Sequence, residues 1–149
     1  MKASLQDLLR QRNQYLLNRW FQRILDEYEA ETASFLKRQK NRFANPVAYA
    51  LREAIEEIYQ AFLDDRDVDP GTLEYAMKIK AVQESDPKRG IGFIFFLKEI
   101  VRDALAGSVP EKEFAHFDSR IDRIAKTASE MFISNRAKIT DISATSRMI

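Results

Sequence analysis

The chain has no cysteine and a single histidine among its 149 residues. Without cysteine it cannot form disulfides, use a thiolate nucleophile or bind zinc or an iron–sulfur cluster through sulfur. Glu113 and His116 form one Glu-x-x-His pair, but a di-iron bundle needs two such pairs and two further glutamates. We therefore expect no cofactor and no metal, and the lack of cysteine agrees with a reducing, cytoplasmic location.

No charge of one sign dominates, and no long apolar run occurs. There are 24 basic and 23 acidic residues, which gives a net charge of +1, so no overall attraction to nucleic acid or to an anionic membrane is expected. The most apolar stretch, 91–97, is far shorter than the roughly 20 residues that span a bilayer. We predict no nucleic-acid partner and no membrane insertion, with partners recognised through local patches or shape.

Glycine and proline are scarce, with four of each, and most of them mark the ends of helices. Three prolines directly follow Asn45, Asp69 and Asp86, which are good N-cap residues, and proline is well tolerated at the first helical position. Gly107 is expected to end one helix. The fourth proline, Pro110, lies in the capping-box pattern 108–111, which is expected to begin the next helix. Ser4 offers a weaker helix start.

Apolar residues between these marks recur at helical spacing, and no segment alternates as a strand would. The sequence therefore predicts an all-α fold, a single-domain helical bundle over residues 1–149, with a globin-like arrangement as one option. The tail after about residue 140 is expected to fray. The predicted helices are about six in number: 4–28, 31–41, 46–64, 70–85, 87–106 and 110–140.

The stretch GIGFIFF, residues 90–96, is apolar on every side of a helix, which predicts that this part of the fifth predicted helix lies in the centre of the bundle. Gly90 and Gly92 each cost about 1 kcal/mol relative to alanine inside a helix, so something is expected to approach the backbone closely there. Two alternatives fit Gly90, Gly92 and Phe93. One is a crossing helix, and the other is a cavity for a small ligand.

The last predicted helix carries apolar residues three and four positions apart, a spacing that fits a heptad seam. Such a stripe either packs on the helix's own bundle or forms an interface with another chain. The interface candidates are Phe117, Ile121, Ile124 and Ala128.

Four polar residues near the central helices are candidates for a ligand site or for hydrogen bonds that orient the helix pair. Lys80 and Gln83 lie one turn apart on one helix, and Lys98 and Arg102 lie one turn apart on the next. If the two helices are antiparallel, Arg102 lies about ten ångströms or more beyond the turn, at 1.5 Å per residue. The two pairs therefore need not form one site.

Other polar clusters have simpler interpretations. The segment 65–69 imitates the start of a calcium loop, but Pro70 replaces the required glycine and Ala76 cannot supply the bidentate carboxylate, so a solvated turn is predicted. The acidic residues 53–57 indicate a solvated helix face, and the basic run 37–42 a surface patch without a groove-reading motif.

Several sequence blocks stand in a distinctive order along nearly the whole chain: Trp20, Ile24 and Tyr28, then Phe43-Ala44-Asn45-Pro46-Val47, Lys80-Ala81-Val82-Gln83, Pro87, Gly92-Phe93 and Leu97-Lys98. Together these blocks resemble the RsbRD N-terminal domain family, sensor-like modules named after the RsbT co-antagonists of bacterial stress signalling. The chain departs from the family at Lys80, where arginine is typical, and at Gly90, where alanine is usual. Lysine keeps the charge but lacks the planar fork that binds an anion in bidentate fashion.

The resemblance implies a bacterial signalling role, and two functions remain open. The first is a non-enzymatic regulatory module that acts through protein–protein contacts, with another regulatory protein or a second copy of the chain, as a homodimer, for its partner. The second is a small-ligand sensor whose buried cavity near Gly92 controls partner binding by shifting a conformational equilibrium.

Overall fold

A computed structural model describes residues 4–28, 30–38 and 46–148. Every regular element within these ranges is a helix, and together they form one all-α domain, as predicted. The helices are α1 (Leu5–Gln11), α2 (Asn13–Leu25), α3 (Ala30–Arg38), α4 (Pro46–Leu63), α5 (Pro70–Gln83), α6 (Pro87–Leu105) and α7 (Glu111–Met148).

The predicted helix caps at Ser4, Asp69 and Asp86 are confirmed. The side chains of Ser4, Asp69 and Asp86 each accept a hydrogen bond, at 3.0 or 3.1 Å, from a backbone amide two or three residues further on. These bonds satisfy amides that have no partner inside the helix. Gly107, at φ 81°, lies just beyond the end of α6. The predicted cap at Asn45 lies outside the described residues.

The prediction of one continuous first helix is wrong, because the chain divides at Arg12 into α1 and α2. The described helices therefore number seven rather than six. The buried Tyr59 hydroxyl donates to the Leu9 carbonyl at 2.5 Å, the acceptor that Asn13 would use in a continuous helix. The Arg12 guanidinium donates to the Ala104 carbonyl near the end of α6 at 3.0 Å. Contacts between distant parts of the chain therefore break a segment whose local pattern is helical.

Helix α7 is longer than predicted, since its backbone is helical through Met148. No glycine or proline follows Pro110 that could end it earlier. Its later part is held to α5, because the buried Asn135 amide donates to Glu74 at 2.9 Å and Arg136 donates to the Ala81 carbonyl at 2.9 Å.

Helix α6 packs between α2 and α7. Phe93, Ile94 and Leu97 are buried, and the buried Trp20 indole of α2 donates to the Phe93 carbonyl at 2.7 Å. The prediction of burial on every side was wrong, however: Phe95 is 38% exposed and Phe96 is only half-buried. One side of this apolar stretch is therefore open.

At Gly90 a side chain of α7 packs directly on the backbone of α6. The ring of Phe132, itself buried, occupies the place of a side chain, and a Cβ on Gly90 would lie 2.7 Å from Cδ2 and 2.8 Å from Cζ of that ring. Gly92 differs, since no atom lies within 4 Å of the corresponding position. The crossing-helix alternative therefore describes Gly90 and not Gly92.

These two glycines give a matched test of the packing. Gly90→Ala should lower the free energy of unfolding by about 1 kcal/mol or more, because overpacking against a buried ring outweighs the gain in helix propensity. Gly92→Ala should raise it by up to about 1 kcal/mol, since the methyl group meets nothing. Urea denaturation of both variants measures the difference, and equal effects would contradict the Phe132 contact.

Candidate functional site: an open groove beside Gly92

An open groove of about 860 Å³ lies between the end of α2, the end of α5 and the first half of α6. Its volume falls within the range of small-molecule sites, and mostly apolar walls with a few polar groups are typical of such sites. The walls include Ile24 of α2 with Ile91, Phe93 and Phe96 of α6. Gly92 lies among these side chains and, because it has none of its own, leaves the groove open at that point.

Lys80 lies at the polar end of the groove, on the last turn of α5. Only 8% of the residue is exposed. Its ammonium lies 3.5 Å from the Tyr28 hydroxyl, longer than usual for a hydrogen bond, and 5.7 Å from the centre of the Tyr28 ring. Burial lowers the pKa of Lys80 from its ordinary value, an effect that the nearby charge of Glu84 opposes.

Tyr28 and Gln83 complete this polar end. The Tyr28 hydroxyl donates to the Gln83 side-chain oxygen at 3.1 Å, and burial raises the pKa of the phenol above its ordinary value. Tyr28 follows the end of α2, so the contact joins α2 to α5. Nothing in the sequence indicates that the Tyr28 hydroxyl meets Lys80, because that contact is between distant segments.

Lys98 and Arg102, the other two polar candidates, are not part of the groove. The Lys98 ammonium lies 2.5 Å from Asp122, and Arg102 lies 2.7 Å from Asp118 and 3.1 Å from Glu111. The three carboxylates belong to α7, so both cations join α6 to α7. The hydrogen bonds that Arg102 donates to Glu111 and Asp118 raise the pKa of its guanidinium above the ordinary value.

The interface candidates on α7 pack within the chain's own core. Phe117, Ile121 and Ala128 are buried, and Ile124 is half-buried against the same cluster. Contacts within the domain therefore occupy this stripe. A partner that binds α7 would meet its other side.

The remaining polar clusters have structural roles. Glu113 accepts a hydrogen bond from the Leu5 amide at 3.0 Å, at the start of α1, while His116 is exposed. Asp69 caps α5. Within the described residues, no three histidine, aspartate or glutamate side chains are grouped so that they could hold a metal ion.

Two substitutions test the structural role of the cations on α6. Arg102→Met should lower the free energy of unfolding more than the removal of Lys98 does, because it leaves Asp118, 23% exposed, without its charged partner. Lys98→Met should cost about 0–1 kcal/mol, since Asp122 is 58% exposed and stays solvated. Urea denaturation measures both. Equal, negligible effects would show that these ion pairs do not hold α6 to α7.

The fold and the groove define an all-α domain with a ligand-sized opening beside its central helix. No helix in the described part of the chain is both long enough and apolar enough to cross a membrane.

Comparison with known families identifies the domain further. Residues 14–147 match the family described as the RsbT co-antagonist protein rsbRD N-terminal domain. The match covers nearly the whole chain, and the chain belongs to this family, as its sequence blocks indicated. These are regulatory signalling domains, not a known family of enzymes. No curated protein and no solved structure matches the chain, so the globin-like arrangement stays a prediction.

Proposed function

We propose that this domain is a non-enzymatic signalling module whose input is a small molecule bound in the groove beside Gly92. The observation that carries the proposal is the combination of about 860 Å³ of open space, apolar walls and a glycine with no atom within 4 Å of its missing side chain. A glycine inside a helix costs stability. At Gly90 a packed ring accounts for that cost, whereas at Gly92 space for a ligand would account for it.

The position of the groove also supports a route for the signal. Helices α5 and α6 flank it, and both pack against α7. Ser129 of α7 itself lines the groove. A ligand that fits one spacing of α5 and α6 better than another shifts the population toward that spacing, and α7 has to follow because it contacts both.

The output in this proposal is contact with another regulatory protein in the cytoplasm, through the side of α7 that faces away from the core. RsbR-type domains work with other regulatory proteins in partner-switching systems. The stripe that contains Ile121 is already buried in this domain. On the other side of α7, Ile133 is 54% exposed and offers an apolar contact.

Thermal-shift screening of a metabolite library tests the input. A compound present at 100 times its dissociation constant should stabilise the folded state by about 2.7 kcal/mol and raise Tm. Gly92→Leu should stay folded and lose this stabilisation, because the leucine side chain fills the open space beside the groove. Gly71→Leu is the matched control, since Gly71 is exposed at the start of α5 and does not line the groove.

A compound that stabilises the wild type and Gly92→Leu equally binds elsewhere and would contradict the proposed site. The output is measured in parallel, by comparing capture of partner proteins from native lysate with and without a stabilising compound. Capture that does not change when the groove is occupied would contradict the proposed route through α7.

A further inference from the structure

We infer that the ligand of this groove is an organic carboxylate with an apolar body, whose carboxylate pairs with Lys80. The inference rests on the proposed function and names the class of ligand that the groove would take. The observation behind the inference is the Lys80 ammonium. It is buried at one end of the apolar groove and forms no ion pair with a carboxylate of the described residues.

Lysine is rarely buried unless its charge is paired. Within the described residues, no carboxylate lies within 4.0 Å of the Lys80 ammonium, whereas Lys98 has one such partner and Arg102 has two. Its described contacts are the long bond to the Tyr28 hydroxyl and the face of the Tyr28 ring. Two weak contacts leave most of the hydrogen-bonding capacity of the three ammonium hydrogens unused.

Other charged side chains along the groove do not replace a partner for Lys80. Glu27 pairs with Arg23 at 2.5 Å. The charge of Glu84 acts on Lys80 from a distance, but its carboxylate lies beyond 4.0 Å from the ammonium and makes no ion pair with it. Lys88 and Glu99 also line the groove but are exposed, so water solvates them. Lys80 is thus the buried cation of this groove.

The Tyr28 hydroxyl adds a second donor beside the ammonium. It now donates to Gln83, which is exposed and can bond to water instead. A rotated hydroxyl and the ammonium, 3.5 Å apart, can each donate to one oxygen of the same carboxylate. One ammonium and one hydroxyl match a single negative charge, whereas a phosphate dianion would keep a charge without compensation in a partly desolvated site.

The apolar body would occupy the rest of the groove. Ile24 and Phe93 are buried and Phe96 is half-buried, so an alkyl or aromatic group placed there leaves water for an apolar surface. The apolar part of the ligand is either a chain of methylenes or a phenyl ring, and it carries the carboxylate at one end. Gly92 provides the space through which either would enter.

Paired probes test the inference, with isothermal titration calorimetry as the measurement. Octanoate is compared with octan-1-ol, and 3-phenylpropanoate with 3-phenylpropan-1-ol. The wild type should bind the carboxylate of at least one pair about tenfold or more tightly than the alcohol, as expected for a charged hydrogen bond in a partly buried site. The pair that shows this preference distinguishes an alkyl from an aromatic body.

Three variants locate the preference. Lys80→Met should abolish it, Lys80→Arg should keep it in part because the charge remains, and Lys98→Met should keep it in full. Lys98→Met is the matched control, since Lys98 pairs with Asp122 outside the groove. Circular dichroism and Tm establish that each variant is folded, and Lys80→Arg keeps the test decisive if Lys80→Met does not fold.

The outcomes separate this inference from the proposed function. If carboxylates and alcohols bind the wild type equally and Gly92→Leu removes both, the groove is a ligand site but Lys80 does not select an anion. A carboxylate preference that persists in Lys80→Met overturns the inference, as does the absence of binding by all four probes. In that last case, the metabolite screen with Gly92→Leu still decides the proposed function.

Discussion

The contact between Gly90 and Phe132 is the constraint on which the arrangement of the central helix depends. Because Gly90 has no side chain, the Phe132 ring lies directly on the backbone of α6 and sets how close α6 comes to α7. On α2, the Trp20 indole is bonded to the Phe93 carbonyl. These two contacts fix α6 between its neighbours. The groove is the space left beside the first half of α6, bordered by the ends of α2 and α5 and by Ser129 of α7.

Features set by neighbouring residues could be predicted from the sequence. The helix starts at Ser4, Asp69 and Asp86 depend on a side chain and an amide two or three residues away, and all three are present. The break at Arg12 could not be predicted, since it involves Tyr59, which lies about fifty positions away. The Tyr59 hydroxyl donates to the Leu9 carbonyl, which would accept from the Asn13 amide in a continuous helix.

The sequence identified candidate residues for the site, but not the groups that each of them contacts. Lys80, Lys98 and Arg102 are all cations on α5 or α6, and periodicity cannot tell which of them faces a carboxylate. The three-dimensional arrangement separates them, because α7 supplies Asp118 and Asp122 to the two cations on α6. The structure also distinguishes the two glycines, since Gly90 contacts the Phe132 ring and no atom lies within 4 Å of the missing side chain of Gly92.

The open space beside Gly92 has an evolutionary consequence. Residues that form a binding site often also support the protein core, so a change of ligand specificity lowers the stability of the fold. Here the position that limits the size of the groove contacts nothing within 4 Å. A larger side chain at residue 92 would narrow the opening without disturbing the packing of α6 on α7. If the groove binds a ligand as proposed, a change at this one residue alters which ligands fit without a cost in the packing of the core.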